Sequence, residues 1–201
     1  PEFIPKTDQN RVQNCFNKMK ALKHDWEVTM KLEGSSMTVY KDLAGIWGVC
    51  SRNTDLKIDE DNKENAFVKM FNEIMKNTDI AEASAGLAFQ GELMGAGIQG
   101  NIEGFRELRF YVYDIWSIAD QSYLNSRDRQ MICNDLGLRH TPILMQALRM
   151  KDQDTLQDFL SLADGPSINA VRREGIVFKS LQNPNKSFKA ISNQYLLKQK
   201  D

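Results

Sequence analysis

The chain has 201 residues, of which 41% are hydrophobic and 26% are charged. These values are ordinary for a globular protein and exclude a disordered or fibrous chain. The formal net charge of −1 excludes a globally basic surface, so any contact with nucleic acid has to be local. The length suits one large domain with a substantial core.

Cysteine, histidine and hydrophobic patterns exclude further classes. Cys15, Cys50 and Cys133 lie far apart and lack C-x-x-C spacing, which argues against a disulfide framework or a zinc site and predicts buried thiols. His24 and His140 are too separated to indicate a metal cluster or a histidine general base. No apolar run approaches about 18 residues, and the N-terminal sequence lacks a signal-peptide core. We therefore expect an intracellular protein that does not span a membrane.

The first predicted element is a helix. Apolar residues at helical spacing predict an amphipathic helix over about residues 10–23. Thr7 and Asp8, just before it, are suited to capping its N-terminus. Arg11 falls in the first turn of this helix, where a cation opposes the helix dipole, so we expect it to have a partner elsewhere.

A strand, a tight turn and a second strand are predicted next, over residues 26–40. Lys31 ends the first strand, and Gly34 lies in the turn, where a glycine permits a backbone reversal or the close approach of a ligand. A lysine held at a strand end can act as a nucleophile when its surroundings favour the neutral amine. Taken alone, this K-x-x-G sequence is more typical of a solvated surface lysine than of a nucleophile.

Strands and helices continue in irregular order. Further strands are predicted at 45–51, 87–93, 108–116, 175–180 and 187–192, with an acidic loop at 53–61, a Met/Phe-striped core helix at 66–75, mostly helix at 127–164 and a short polar helix at the end. This order lacks strict strand–helix–strand alternation. It favours an α+β domain with largely antiparallel sheets.

The stretch 108–116 is the strongest predicted strand in the sequence. Simple alternation puts Ile115 on the same face as Tyr111 and Tyr113, opposite Phe110 and Val112. The glycine-rich stretch 94–101 that precedes it matches G-x-G-x-x-G, but no helix pattern follows it. A dinucleotide-binding fold is therefore not indicated.

Six motifs, taken in order, resemble the nucleotidyltransferase motifs of ATP-dependent RNA ligases. They are K-L-E-G at 31–34, S-R-N at 51–53, Q-G-E-L-M-G at 90–95, F-Y-V-Y-D-I at 110–115, R-E-G-I-V-F-K at 173–179 and S-F-K-A-I-S at 187–192. The resemblance implies an α+β nucleotidyltransferase (ATP-grasp-like ligase) domain of mainly antiparallel sheets flanked by helices. We expect residues 1–201 to form this adenylyltransferase domain.

The resemblance also implies catalytic roles. Lys31 would attack the α-phosphate of ATP, expel pyrophosphate and carry AMP as a covalent adduct. Lys189 and Arg11 would stabilise the charge that develops on the phosphates. Glu33 and Glu174 would hold Mg²⁺ or Mn²⁺, an ion that usually keeps several of its waters.

The nucleotide contacts follow from the same resemblance. Glu92 matches the ribose-binding glutamate, Tyr113 the aromatic that stacks on adenine, and Arg52 an arginine near the ribose and the RNA terminus. Val177 would cover the other side of the base. Simple alternation puts Val177 and Glu174 on opposite faces of the strand, so this role requires a local twist of the chain. The remaining predicted nucleotide-binding residues flank the nucleophile or carry charge: Met30, Gly34, Lys31 and Lys189.

One position departs from the family pattern. Many members carry two lysines two residues apart in the last motif, whereas here Ser187 precedes Lys189. Lys186 and Lys179 are candidates to supply the second cation. Side chains alternate along a strand, so Lys186, three residues before Lys189, is not expected to share the face of Lys189.

The expected partners are ATP and RNA ends or a nicked duplex. The chain begins at Pro1 without methionine, and the resemblance is to a branch whose catalytic domain follows a small OB-type domain. We therefore expect a monomeric piece of a longer protein whose N-terminal OB domain is missing here. A DNA ligase, an RNA-capping guanylyltransferase of the same fold, or a non-catalytic nucleotide- or RNA-binding module are the alternatives.

Overall fold

A computed structural model of the chain describes residues 1–198. Its strands are β1 (Asn10–Arg11), β2 (Asp25–Lys31), β3 (Ser35–Lys41), β4 (Trp47–Ser51), β5 (Asp55–Leu56), β6 (Leu87–Met94), β7 (Arg109–Ser117), β8 (Ser122–Tyr123), β9 (Arg139–His140), β10 (Ile143–Arg149), β11 (Gly175–Ser180) and β12 (Ser187–Ile191). Its α-helices are α1 (Val12–Ala21), α2 (Ala66–Met75), α3 (Thr78–Ala81), α4 (Ser126–Leu136), α5 (Leu156–Leu162) and α6 (Asn193–Lys198). Within residues 1–198, no helix has the length and apolar character needed to cross a membrane.

The strands belong to two sheets, each in its own compact unit. Unit 1 comprises Pro1–Thr7, Gly34–Asn101 and Phe105–His140, whereas unit 2 comprises Asp8–Glu33, Ile102–Gly104 and the described residues from Thr141 onward. Among the described strand pairs, β1–β12 and β7–β9 are parallel and the others are antiparallel. The predicted α+β class with mainly antiparallel sheets is therefore confirmed.

Unit 2 has a five-stranded sheet in the order β1-β12-β11-β2-β10. One face of this sheet packs against α1 and α5, and the core between them contains Val12, Phe16, Met19, Trp26, Val28, Phe159, Ile176, Phe178, Phe188 and Ala190. The rings of Phe178 and Phe188 stack with centroids 4.5 Å apart. Because side chains alternate along a strand, the residues between these core positions project from the opposite face.

Unit 1 has a seven-stranded sheet in the order β5-β4-β3-β6-β7-β8, with β9 paired to β7. The predicted Met/Phe-striped helix is α2, which begins after the Asn65 cap and buries its apolar side against this sheet. Residues from the helix and the sheet share one core, which includes Met37, Val39, Val49, Val68, Phe71, Phe89, Leu93, Phe110, Val112 and Ile115. Cys15, Cys50 and Cys133 are buried free thiols, as predicted.

The predicted facing of Ile115 is wrong, because β7 contains a bulge. Gln90 of β6 pairs with Asp114 and Gly91 pairs with Val112, so β7 has one extra residue, Tyr113, between these two pairs. A bulge of this kind shifts the alternation by one position. Ile115 consequently joins Val112 in the core and does not share the face of Tyr111.

The predicted helical region at 127–164 contains a strand that the sequence did not reveal. Helix α4 ends at Leu136 and is followed by Gly137, a C-cap residue in the left-handed conformation with φ of 66°. Ile143–Arg149 then forms β10 at the edge of the unit 2 sheet and pairs with β2 through two irregularities. Its Leu, Met, Gln, Ala and Arg residues are good helix formers, so pairing with β2 overrides local propensity.

The N-terminal prediction needs two corrections. Helix α1 begins at Val12, and Arg11 is its N-cap residue in an extended conformation, without a side-chain cap. Arg11 therefore does not lie in the first turn, because Asn10–Arg11 pairs with β12 as a short strand. Thr7 does not cap the helix either, since its hydroxyl contacts Ser36.

The predicted loop at 53–61 also contains a short strand, β5.

Candidate active site

Lys31 is the last residue of β2, on the face of the unit 2 sheet that is opposite the core. In the neighbouring strand β11, Gly175 is the register partner of Lys31 and Val177 is the register partner of Thr29. Val177 also pairs with Lys189, which in turn pairs with Arg11. Directly paired residues project on the same side of a sheet. One face thus carries the predicted nucleophile, both predicted cations and the predicted adenine contact.

The Lys31 side chain forms an ion pair with Glu174. Its Nζ lies 2.7 Å from Oε1 of Glu174, and the two side chains are 21% and 19% exposed. Glu174 immediately precedes β11 and lies outside the ladder, so strand alternation does not govern its direction. The next residue is a glycine in close contact, because a Cβ at Gly175 would lie 2.2 Å from the carbonyl oxygen of Ala190.

Lys189 concentrates positive charge on this face. Burial lowers the pKa of Lys189 below its ordinary value, and the positive charge of Lys31 lowers it further. Smaller contributions come from Asp8 and Glu174, which raise it, and from Arg11, which lowers it. Cations that repel one another in a partly buried place are suited to receiving an anion such as a phosphate.

Glu33 lies two residues after the predicted nucleophile and is only 8% exposed. Its Oε2 accepts a hydrogen bond from the backbone N–H of Ile102 at 3.3 Å. Carboxylate oxygens such as those of Glu33 and Glu174 are ligands that Mg²⁺ and Mn²⁺ prefer. Among residues 1–198, no group of three or more Asp, Glu, His or Cys side chains could hold a metal ion. Two carboxylates suit an ion such as Mg²⁺, which usually keeps several of its waters.

Met30 precedes Lys31 in β2, so its side chain projects from the opposite face of the sheet. Its side chain is buried, and its sulfur lies 3.6 Å from the Ser167 hydroxyl. Its backbone N–H donates to the carbonyl of Pro142 at 2.9 Å. Met30 therefore links the end of β2 to Ser167 through its side chain and to Pro142 through its backbone.

Lys179 and Glu27 are two further charged residues on the same face of the unit 2 sheet. They are register partners in β11 and β2, and both are buried. Lys179 is also directly opposite Ser187, the position at which many family members have a lysine. Of the two candidates for the second cation, Lys179 thus has its Cα beside position 187, whereas Lys186 lies in the turn before β12.

Unit 1 carries the other predicted nucleotide contacts. Ser36, Glu92, Tyr111 and Arg139 form one cross-strand row over β3, β6, β7 and β9. Gly34 packs tightly beside this row, since a Cβ there would lie 2.3 Å from the carbonyl oxygen of Leu93 and 2.9 Å from Cγ of Glu92. The glycine of the predicted lysine motif is therefore required by close packing.

Tyr113, the bulged residue of β7, is half-buried and linked to hydroxyl groups. Its phenol oxygen lies 3.2 Å from the Ser36 hydroxyl, which lies 2.8 Å from the Thr7 hydroxyl. Burial raises the pKa of Tyr113, and the nearby Glu92 carboxylate raises it further. Arg52, by contrast, is exposed directly after β4. Sequence reasoning did not single out Ser36 and assigned Thr7 to helix capping, because hydroxyl residues in strands and loops carry no distinguishing pattern.

Three solved structures of an RNA ligase from Naegleria gruberi are similar to this chain. A mutant with ATP and Mn and the ligase with PPi each give a TM-score of 0.87 at 41% identity, covering 100% of this chain and 59% of theirs. A mutant with AMP and Mn gives a TM-score of 0.87 at 41% identity, covering 100% of this chain and 60% of that one. The chain thus spans less than two thirds of the length of these relatives.

The family comparison agrees with the structural one. The sequence model described as RNA ligase matches residues 24–191, which is most of the chain. The comparison with curated proteins gave no match. The matched range contains Lys31, Glu92, Glu174 and Lys189, and the nucleotidyltransferase fold expected from the motifs is confirmed. This chain belongs to the RNA ligase family.

Proposed function

We propose that this chain is the catalytic adenylyltransferase domain of an ATP-dependent RNA ligase. The observation that carries the proposal is the position of Lys31. It ends a strand 2.7 Å from Glu174 and shares a sheet face with Lys189 and Arg11, in a chain that belongs to the RNA ligase family. The relatives with ATP or AMP and Mn support ATP as the nucleotide.

The first step follows from the chemistry of these groups. The neutral amine of Lys31 attacks the α-phosphorus of ATP, an N–P bond forms, and the bond to the pyrophosphate oxygen breaks. The attacking nitrogen gives up one proton to solvent, and pyrophosphate leaves with the electron pair of the broken P–O bond. Lys189 and Arg11 stabilise the negative charge on the α-phosphate and the leaving group, and Glu174 orients the amine beforehand.

Glu33 and Glu174 are the residues that would hold Mg²⁺ or Mn²⁺, through waters. When bound, such an ion would supply positive charge to the phosphates and would favour loss of the amine proton. Both carboxylates are partly or fully buried, so they are held in place before the ion arrives. Relatives with Mn support a divalent ion.

The nucleotide and RNA contacts are part of the same proposal. Glu92 binds the ribose, Tyr113 and Val177 pack on the adenine, and Arg52 contacts the ribose and the RNA terminus. Met30 and Gly34 complete the proposed set of nucleotide-binding residues. AMP then passes to an RNA 5′-phosphate, and a 3′-hydroxyl displaces AMP to seal the strand.

An additional domain supports the later steps. The net charge of −1 gives this chain little affinity for phosphates, so binding of RNA ends or a nicked duplex depends on further basic surface. We propose that an N-terminal OB domain in the same protein supplies it and that residues 1–201 act as one monomeric adenylyltransferase domain. An intracellular location stays a prediction from the sequence.

Mass spectrometry of the purified chain incubated with ATP and Mg²⁺ tests the proposal. We expect one added AMP on Lys31, stable to denaturation and absent in Lys31→Ala. GTP serves as the matched nucleotide. Labelling from GTP alone would instead indicate a capping guanylyltransferase, and equal labelling of the wild type and Lys31→Ala would reject the covalent assignment.

A further inference from the structure

Glu103 is a buried carboxylate outside the motifs that carry the proposed chemistry. It is 4% exposed and lies in the segment Ile102–Gly104 of unit 2. Its Oε2 accepts the backbone N–H groups of Asn169 and Ala170, the latter at 3.0 Å, and its Oε1 accepts the Ser167 hydroxyl. The Asn169 side chain also donates to the Glu103 carbonyl at 3.1 Å. The carboxylate thus fixes the backbone of residues 167–170.

Arg173 fixes the same loop from its other end. Its guanidinium donates to the carbonyl oxygens of Leu162, Ala163 and Asp164 at 2.8, 3.1 and 2.9 Å. Its backbone N–H donates to the carbonyl of Gly165 at 2.8 Å. Glu103 therefore binds donors of the loop and Arg173 binds its acceptors, so the stretch between α5 and β11 has little freedom.

This loop leads directly into the proposed site. The residue after Arg173 is Glu174, which pairs with Lys31, and Ser167 contacts Met30 next to that lysine. Ile102, the neighbour of Glu103, donates its backbone N–H to Glu33. Glu33 is thus attached to Ile102, while Glu174 is attached to Glu103 through the loop.

We propose that Glu103 is a positioning residue that sets the separation of Glu33 and Glu174 and thereby the affinity for the divalent ion. This inference rests on the proposed function, because it takes these two carboxylates as the metal-binding pair. Outer groups that orient metal-binding side chains typically contribute about 10- to 100-fold in metal affinity or activity. Loss of the hydrogen bonds from the Glu103 side chain to the loop should therefore weaken metal binding more than ATP binding.

Glu103→Ala and Glu103→Gln separate this role from a general effect on folding. Alanine removes every side-chain hydrogen bond to the loop. Glutamine keeps an oxygen for the N–H groups of Asn169 and Ala170, and its amide can donate to the Ser167 hydroxyl. Asp158→Ala is the matched control, because it removes the capping box of α5 in the same unit without touching the loop.

Two measurements are made on each purified variant. Electron paramagnetic resonance of free Mn²⁺ during titration of the protein gives metal affinity without any reaction. The rate of lysyl-AMP formation against Mn²⁺ and against ATP gives two half-saturation values. For Glu103→Ala we expect about tenfold weaker Mn²⁺ binding, a tenfold higher Mn²⁺ half-saturation, an ATP half-saturation within about twofold, and recovery of most of the rate at high Mn²⁺. Glu103→Gln should lie near the wild type.

Equal Mn²⁺ affinity in Glu103→Ala and the wild type would overturn the inference, as would an equal loss in Asp158→Ala. If Glu103→Ala does not fold, Ser167→Ala, which removes one donor to the carboxylate, should show a smaller shift in the same direction, and no shift would overturn the inference. Failure of the wild type to form lysyl-AMP rejects the proposed function instead. The Mn²⁺ titration still reports on Glu103 in that case.

Discussion

Nζ of Lys31 lies 2.7 Å from Oε1 of Glu174, and each side chain is about one fifth exposed. The proposed nucleophile is thus held by a carboxylate that is also a proposed metal-binding group. An ammonium ion and a hydrated divalent ion would compete for the same oxygen. Binding of the divalent ion at Glu174 would therefore release the Lys31 side chain from its partner.

Replacing Lys31 by arginine should separate the ion pair from the chemistry. Lys31→Arg keeps a cation beside Glu174, so the free energy of unfolding should stay within about 1 kcal/mol of the wild type, as for other partly exposed ion pairs. Arginine stays protonated and cannot act as the nucleophile, so no AMP should be added. Urea unfolding and mass spectrometry provide the two measurements. AMP on another lysine of this variant would show that the nucleophile is misassigned.

The stability gained by replacing Lys189 should depend on pH. Its folded-state pKa lies below the ordinary value of 10.5, so between the two values the unfolded chain binds more protons and wild-type stability rises with pH. Below the lowered pKa the cost of the charge is fully present. Lys189→Gln should therefore be more stable relative to the wild type at pH 7 than at pH 10.

Urea unfolding of both proteins over this pH range tests the Lys189 prediction, and an equal difference at every pH would contradict it. The same variant should form lysyl-AMP about 100-fold more slowly, because a cation that stabilises the developing charge is missing. A more stable but much slower variant would place Lys189 among residues retained for activity. Normal labelling at neutral pH would remove it from the proposed catalytic set.

Two substitutions at Tyr113 should distinguish its hydroxyl from its ring. Tyr113→Phe loses the contact with Ser36 and should lower the free energy of unfolding by about 1 kcal/mol, with little change in the KM for ATP. Tyr113→Ala also loses the ring, and the KM should rise about tenfold, as for loss of base stacking. Tyr123→Phe is the matched control, since it removes another hydroxyl of unit 1, bonded to Gln90 at 2.9 Å. An unchanged KM in Tyr113→Ala would contradict the stacking role.

Gly175→Ala should damage both stability and activity. The new Cβ would lie 2.2 Å from a backbone oxygen of β12, so β11, which directly follows Glu174, has to shift against β12, which carries Lys189. We expect a loss of about 2–3 kcal/mol and slower lysyl-AMP formation. In Gly45→Ala, the positive φ of 83° costs about 1 kcal/mol, but nothing lies within 4 Å of the new Cβ and labelling should be normal. Equal effects of the two substitutions would argue against a tight fit at Gly175.

Sequence patterns predict the parts of this fold that depend on local order. The alternation around Lys31 and the spacing in α2 are visible within about ten residues, and both elements form where expected. Strand β10 could not be predicted, because its residues favour a helix and only the pairing with β2 makes it extended. The pairing of Arg11 with Lys189 is likewise invisible, since 178 positions separate them, the difference between 189 and 11.

The residues of the candidate site also divide into those that the sequence motifs identify and those that only the folded structure reveals. Motif resemblance named Lys31, Glu174 and Lys189, and these lie together in unit 2. It did not name Glu103, because a single glutamate in a glycine-containing loop has no pattern and its burial depends on contacts with residues 64 to 67 positions away. Charged loop residues that become buried are therefore the part of such a site that one sequence leaves out.

The extra residue in β7 has a consequence for how this sheet tolerates insertion and deletion. If Tyr113 were deleted, Val112, Asp114 and Ile115 would follow one another in regular alternation, with both apolar side chains still directed to the core. The hydrophobic interior of unit 1 therefore does not need this position. A chain shortened by that one aromatic should still fold, having lost the ring that we assign to the nucleotide and the hydroxyl contact with Ser36.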